Sequence, residues 1–379
     1  MELQSQNYLV AVTRAEFAAN IAGRNVYLAS EFKFVGLAMK DSVEDAVIPN
    51  DQYAISMFER YFHMKAFYFS HDYDLTRPFS ASAARAFRKG DYDDRFYYNS
   101  AFTGKLKEHN LEHWVQPFIC GLVEQRLLNI NQKAISFILI SRRDKTRAGM
   151  RFISRGSDSQ GNVSNFAETE QILTFLNDDS YDVYSYLQTR GSIPVIWKQS
   201  ATLKWAPKLL IESNVMKNKV AYKNHMGIQK KSYGENHLVN LIDKKGSQKI
   251  IGEFFTEMTR SENDPTVKYC WFDFHDECKK MQWHHLTKLI NELLDSIQKF
   301  KYGQYRVYKT VSLSDQTEET EIPKITVLQT QSGVFRTNCI DCLDRTNVVQ
   351  SVLGRNILLS QLHSVVFCDP GWNHSEAKW

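Results

Sequence analysis

Long apolar runs are missing from this chain. Its longest unbroken stretches, such as Ala134 to Ile140 (with Ser136) and Phe67 to Phe69, fall far short of the roughly 18 residues that a membrane-spanning helix needs. The start, MELQSQNYLVAV, has neither the basic beginning nor the long apolar centre of a secretory leader, so a cytosolic chain is expected. Cysteine is sparse. With 6 in 379 residues, and only Cys339 and Cys342 close together, no disulfide framework is encoded and a reducing compartment fits. The Asn-x-Ser triplets at Asn162 and Asn373 would matter only in a secreted protein. Charge of one sign is not in excess either: 47 basic against 43 acidic residues leave +4. That is too little to argue for nucleic acid in bulk, although a small excess can be gathered where a phosphate sits. Internal repeats and low-complexity tracts are absent.

What is present is ordinary folded sequence: 43% hydrophobic, 13% aromatic and 24% charged residues exclude disordered and collagen-like classes. The length suggests two domains. From Met1 to about Phe118, short apolar pieces (Tyr8 to Val12, Phe34 to Leu37, Ala66 to Ser70) alternate with polar turns and read as strands, with an amphipathic helical piece near Tyr53 to Met64. Pro117 and Gly121 punctuate the chain, and Ala134 to Ser141 reads as a buried strand. The boundary is placed near residue 118, giving domains 1–118 and 119–379. The second half alternates strand and helix signals, the pattern of an α/β core. Val267 to Phe274 predicts a strand, and Met281, Leu286, Leu289, Ile290, Leu293, Leu294 and Ile297 follow at helical spacing. Val334 to Asn338 predicts another strand, and Thr346 to Leu362 another helix.

Between that last strand and helix lies Cys339-Ile340-Asp341-Cys342-Leu343-Asp344-Arg345-Thr346. A strand-loop-helix turn can aim successive backbone N–H groups and a positive helix end at one point, a cradle for an anion. The same field lowers the pKa of a thiol at its base, so Cys339 is the candidate nucleophile toward phosphorus. Arg345, with a planar fork that holds two phosphate oxygens, would close the ring. An alkoxide leaving group needs a proton. Asp341 and Asp344 are the candidate acids, and either could later activate water against a phosphocysteine. Thr346 could hydrogen-bond the Cys339 sulfur and cap the helix. The competing readings of Cys339 and Cys342 are half a zinc site or a redox pair. Zinc needs a second ligand pair, and Cys270 and Cys278 are separated by seven intervening residues.

Over RTNCIDCLDRTNVVQ, Arg336 to Gln350, the sequence resembles the signature of the Sac-domain phosphoinositide phosphatases. FYFSHDYDLT (Phe67 to Thr76), DDRFYYN (Asp93 to Asn99), SRRDKTRAGMRFISRG (Ser141 to Gly156), NFAETEQ (Asn165 to Gln171), QTRGSIPVIW (Gln188 to Trp197) and WFDFHDECKKM (Trp271 to Met281) agree in order. The likeness runs from about residue 8 to about residue 362. It is greatest to the branch, anchored at the endoplasmic reticulum and Golgi, that removes the 4-phosphate of phosphatidylinositol 4-phosphate and accepts other monophosphates. The resemblance implies a β-rich N-terminal subdomain packed on a catalytic α/β domain. It implies Cys339 as nucleophile, Arg345 as phosphate binder, and no metal or cofactor. The loop residues Asn338, Ile340, Cys342, Leu343 and Thr346 are expected to line the substrate, with Arg190 and His275 as neighbours. The partner expected is a phosphoinositide at the cytoplasmic face of a membrane, with no nucleic acid. Family members continue beyond both ends of this sequence, so the chain is expected to be incomplete and without its anchor.

Arg142, Arg143, Lys145, Arg147, Arg151 and Arg155 form a basic cluster opposed only by Asp144, either a wall for an anionic head group or a solvated turn. Lys217 to Lys249 reads as a solvated basic hairpin. A lone His275 is more often structural than functional, and the aromatics of Phe67 to Phe69 and Trp271 to Phe274 read as core. Two other functions compete with the enzyme. One is a non-catalytic phosphoinositide-binding module whose active site truncation has impaired. The other is a tyrosine phosphatase, disfavoured because Asn338 rather than His precedes the cysteine and no Trp-Pro-Asp acid loop occurs.

Overall fold

The computed structural model describes residue 3 and residues 7–37, 49–85, 90–130, 133–149, 154–199, 208–309 and 323–366. Two compact units divide the chain: Met1–Arg126 with Ile138–Lys145 contribute to the first, and Leu127–Phe137 with most of the chain from residue 146 onward to the second.

In the first unit, β1 (Asn7–Ile21) and β2 (Arg24–Leu37) make a long antiparallel hairpin. Its two-residue turn, Ala22 and Gly23, has φ of 48° and 89°, the primed geometry whose twist matches the flanking strands. After α1 (Pro49–Phe62), β3 (Phe67–Phe69) pairs antiparallel with β2. Two short helices follow, α2 (Phe79–Ala84) and α3 (Gly104–Glu108), and then β4 (Ile119–Ile130), which pairs antiparallel with β3. β4 and the next strand, β5 (Lys133–Arg143), contribute residues to both units. The Phe67 to Phe69 aromatics are core as expected: Phe67 and Phe69 are buried with Ala29 and Cys120, and Phe32 stacks on Phe62 with ring centroids 4.2 Å apart.

The basic cluster is not one wall. Arg142 is wholly buried and donates from Nε to the Leu75 carbonyl at 2.6 Å and from Nη2 to the Arg77 carbonyl at 3.0 Å. It holds a turn of the first unit. Lys145 binds Asp94 at 2.7 Å, and Arg147 donates to the Arg155 carbonyl at 2.8 Å. Arg151 lies outside the described residues.

The second unit is an α/β sandwich around a mixed sheet. β6 (Ala167–Leu176) pairs antiparallel with β7 (Ser180–Arg190). After β8 (Trp197–Gln199) and β9 (Leu209–Ile211) come α4 (Val215–Tyr233), β10 (Glu235–Asn240), α5 (Gly246–Glu262) and β11 (Val267–Trp271). Then follow α6 (Phe274–Glu277), α7 (Leu286–Phe300), β12 (Gly303–Tyr308), β13 (Ile325–Gln329), β14 (Gly333–Asn338) and α8 (Asp344–Val366). β10 runs parallel between β11 and β14, and β14 runs parallel to the end of β7. β14 is buried at every position, as a strand covered on both faces must be. On one face Leu289, Leu293 and Ile297 of α7 and Val349, Leu353 and Ile357 of α8 pack on Phe335 and Val239. On the other, Tyr222 and Met226 of α4 and Ile251 and Phe255 of α5 pack on Leu238 and Ile340. The architecture is therefore mixed α/β, as the alternating pattern predicts.

Two expectations are corrected. The basic stretch from Lys217 is not a hairpin: its first five lysines lie on α4, where Lys219 and Lys223 reach Glu262 at 3.1 and 3.2 Å. A lysine-rich helix surface carries the same charge density as a polar turn, so composition does not separate them. The strand from Val267 ends at Trp271 because Asp273 caps α6, accepting from the Asp276 N–H at 3.0 Å. Residues 367–379, the last of the chain, lie outside the described residues.

Two outcomes follow. Arg142→Met strands the Leu75 and Arg77 carbonyls and is expected to lower unfolding stability by about 3 kcal/mol in denaturant titration. His237 is buried, stacked on Phe335 and bound to the Ser296 hydroxyl at 2.9 Å, and burial holds its imidazole down at about 4. The folded state therefore refuses a proton that the unfolded chain takes up near 6.5. Stability is expected to fall by about 3 kcal/mol as pH drops from 6.5 toward 4, and His237→Leu should flatten that slope.

Candidate active site

Parallel pairing brings the carboxyl ends of β10 and β14 side by side, Asn240 opposite Asn338. The chain continues from them as two neighbouring loops, at the edge where ligands bind in sheets of this kind. The Asn338 side chain donates to the Asn240 Oδ1 at 2.6 Å, and Leu241 N–H donates to the Asn338 carbonyl at 2.9 Å. Asn338 is thus occupied in holding the two strand ends together. Arg336, wholly buried and pushed down to about 10 by that burial, donates to the Ser192 carbonyl and to His225 Nε2 at 3.3 Å. It ties the Gly191-Ser192 turn to β14.

From Cys339 the chain turns into α8. Cys342 takes a positive φ of 54°, an interruption that bends successive N–H groups toward one centre. The Cys339 sulfur occupies that centre. It accepts the Cys342 N–H at 3.0 Å, while the Cys342 Sγ lies 3.4 Å from the Cys339 carbonyl. The hydrogen bond from the Cys342 side chain, the charge of Arg345 and the backbone N–H groups of Leu343 and Asp341 pull the Cys339 thiol down to about 6 against its burial. The same hydrogen bond, together with burial, pushes Cys342 up. Of the two thiols, the surroundings favour ionisation of Cys339 over that of Cys342.

Arg345 Nη1 faces the Leu241 carbonyl at 3.2 Å, Asp243 Oδ1 at 3.3 Å and Gln248 Oε1 at 3.4 Å, all from the loop after β10 and the start of α5. His275 Nδ1 lies 2.8 Å from the same Asp243 oxygen and is exposed. It reaches the loop through Asp243. Asp341 pairs with Arg155, whose side chain is buried. Asp344 is exposed on the first turn of α8.

The remaining expected residues divide. Ile340 packs in the core behind the loop, so only its backbone faces the turn, whereas Leu343 is exposed. Thr346 is buried and its hydroxyl donates to the Leu343 carbonyl at 2.9 Å. Its single proton is spent on that cap, which corrects the expectation that it donates to the sulfur. Arg190 donates to Asn347, one residue into α8 beyond Thr346. Cys270 and Cys278 are buried in the core, and among the described residues no three His, Cys, Asp or Glu side chains gather to hold a metal.

Sequence reasoning missed Asp243, Gln248 and Arg336 and met Arg155 only as one charge in a cluster. Arg345 and Asp243 stand 102 residues apart, and nothing local in either segment announces their contact. The pairing of β10 with β14 creates it.

A sequence model described as the SacI homology domain matches residues 1–279. The chain is 34% identical over 376 residues to phosphatidylinositol-3-phosphatase SAC1 of Saccharomyces cerevisiae, covering 96% of this chain and 57% of that protein. It is 35% identical over 365 residues to phosphatidylinositol-3-phosphatase SAC1-A of Danio rerio, covering 94% and 58%. To the Drosophila melanogaster phosphatidylinositol-3-phosphatase SAC1 it is 32% identical over 372 residues, covering 96% and 59%. The chain thus spans a little under three fifths of the length of these relatives. On the extent of that domain match, the chain belongs to the SacI homology domain family.

Proposed function

We propose that this chain is a phosphoinositide phosphatase that hydrolyses phosphatidylinositol 4-phosphate, and other phosphatidylinositol monophosphates, through a phosphocysteine. The observation that carries the reading is the Cys339 sulfur, which accepts the Cys342 N–H at 3.0 Å in the turn that leads to Arg345, surroundings that lower its pKa. A nucleophile that is ionised at neutral pH and an arginine within the same turn serve attack on a phosphate monoester.

In the proposed reaction the Cys339 thiolate attacks phosphorus in line with the bond to the inositol oxygen. Arg345 and the loop N–H groups hold the phosphoryl oxygens. Asp341, paired with the buried Arg155, and Asp344, on the exposed first turn of α8, are the two candidates for proton transfer to the departing oxygen. Water then cleaves the phosphocysteine, and the deprotonated acid takes up its proton. Loop backbone, Leu343 and Arg190 would frame the head group. The 4-position follows from the resemblance of the signature, whereas the relatives are named for the 3-phosphate, so both esters belong in the assay. The same resemblance supports peripheral action at endoplasmic reticulum and Golgi membranes. Among the described residues no helix is long and apolar enough to cross a membrane.

Phosphate release from short-chain phosphatidylinositol 3- and 4-phosphates, with EDTA present, tests the reading. The chain is expected to release phosphate and Cys339→Ser to lose at least a thousandfold, the size of effect set by removing a nucleophile. Binding without release by folded protein would favour the impaired binding module instead. Because only the thiolate attacks, kcat/KM should rise with pH through about 6. Cys342→Ala removes the largest stabilising contact of that thiolate and should move the limb to higher pH.

A further inference from the structure

We infer that Asp243 and Gln248 form a positioning bracket that fixes the guanidinium of Arg345 for an incoming oxyanion, an inference that rests on the phosphatase reading of this loop. Three acceptors converge on one nitrogen. Leu241 O, Asp243 Oδ1 and Gln248 Oε1 all lie within 3.4 Å of Nη1. The two side chains are locked to each other. Gln248 Nε2 donates to Asp243 Oδ2 at 2.8 Å, and the Asp243 N–H donates to Gln248 Oε1 at 3.3 Å. His275 Nδ1, at 2.8 Å from Asp243 Oδ1, closes the outer side.

The consequence is geometric. A guanidinium has five N–H donors in a planar fork. Holding Nη1 from one side leaves the opposite edge, Nε and Nη2, as the pair that can face two oxygens of a tetrahedral anion. An arginine side chain free to rotate would lose that alignment and pay its rotamer entropy on binding instead. Lys244 N–H donates to Asp273 at 2.8 Å, so the loop carrying Asp243 is itself pinned to the neighbouring strand end.

Charge alone predicts the opposite of positioning. A carboxylate beside Arg345 opposes an incoming anion, so a mere counter-charge, once removed, would tighten oxyanion binding. The test uses the full chain, with calorimetric titration of tungstate and short-chain phosphatidylinositol 4-phosphate turnover measured on the same samples. Arg345→Ala marks the tungstate that depends on the guanidinium. Asp243→Ala is expected to weaken that binding about tenfold and to lower kcat by 10- to 100-fold with KM changed less than threefold. Asp243→Asn, which still accepts from Nη1, is expected to restore most of both. Gln248→Met, with the same volume and no acceptor oxygen, should weaken binding three- to tenfold, and guards against a folding defect peculiar to position 243.

Tighter or unchanged tungstate binding in Asp243→Ala would overturn the inference, as would an Asn variant as impaired as the Ala variant. Absence of any Arg345-dependent tungstate binding would overturn it too. Tungstate binding that depends on Asp243, in a chain that turns over no phosphoinositide, would support the bracket and reject the phosphatase reading.

Discussion

The parallel pairing of β10 with β14 is the constraint on which the rest of the second unit depends. Six residues of each strand are in register from Glu235 opposite Gly333 to Asn240 opposite Asn338, and an asparagine–asparagine hydrogen bond of 2.6 Å closes the pair at its carboxyl end. A one-residue slip would turn every buried side chain of β14 to the wrong face. It would also part Arg345 from the loop after β10. The strands contribute no reacting group, yet they determine where the cysteine turn and the Asp243 loop meet.

Chemistry at that meeting point comes from local electrostatics more than from any one charged neighbour. Cys339 is almost wholly buried, which by itself would favour the thiol. Hydrogen bonds to the sulfur, with Arg345 in support, reverse the balance. Cys342 contributes its N–H, which its left-handed backbone aims at the sulfur, while its Sγ lies against the Cys339 carbonyl. A spacing that from sequence alone also fitted a redox or zinc pair serves, under the proposed function, as a nucleophile and its backbone hydrogen-bond donor.

Much of this was legible in the residues. The alternation of strand and helix in the second half, the strand to Asn338 and the helix after it follow from periodicity alone, and the observed β14 and α8 agree within a few residues. The amphipathic stripe through Leu289, Leu293 and Ile297 likewise became α7. Charge was harder to read. Arg142 and Arg155 stand in one dense run, yet one is buried on carbonyls of the first unit and the other pairs with Asp341. Burial of a guanidinium depends on carbonyls distant in sequence, for which composition has no signature. Asp243 was invisible for the same reason, since a single carboxylate after a strand looks like turn chemistry until its partner is known.

The proposed reaction passes through a covalent bond between Cys339 and the substrate's phosphorus. Acid quenching of the chain during turnover of phosphatidylinositol 4-phosphate, followed by peptide mass spectrometry, measures it directly. The expected result is a phosphoryl group on the peptide carrying Cys339, present within a single turnover and absent in Cys339→Ser. Turnover with no protein-bound phosphoryl group, or with the group on another side chain, would contradict it.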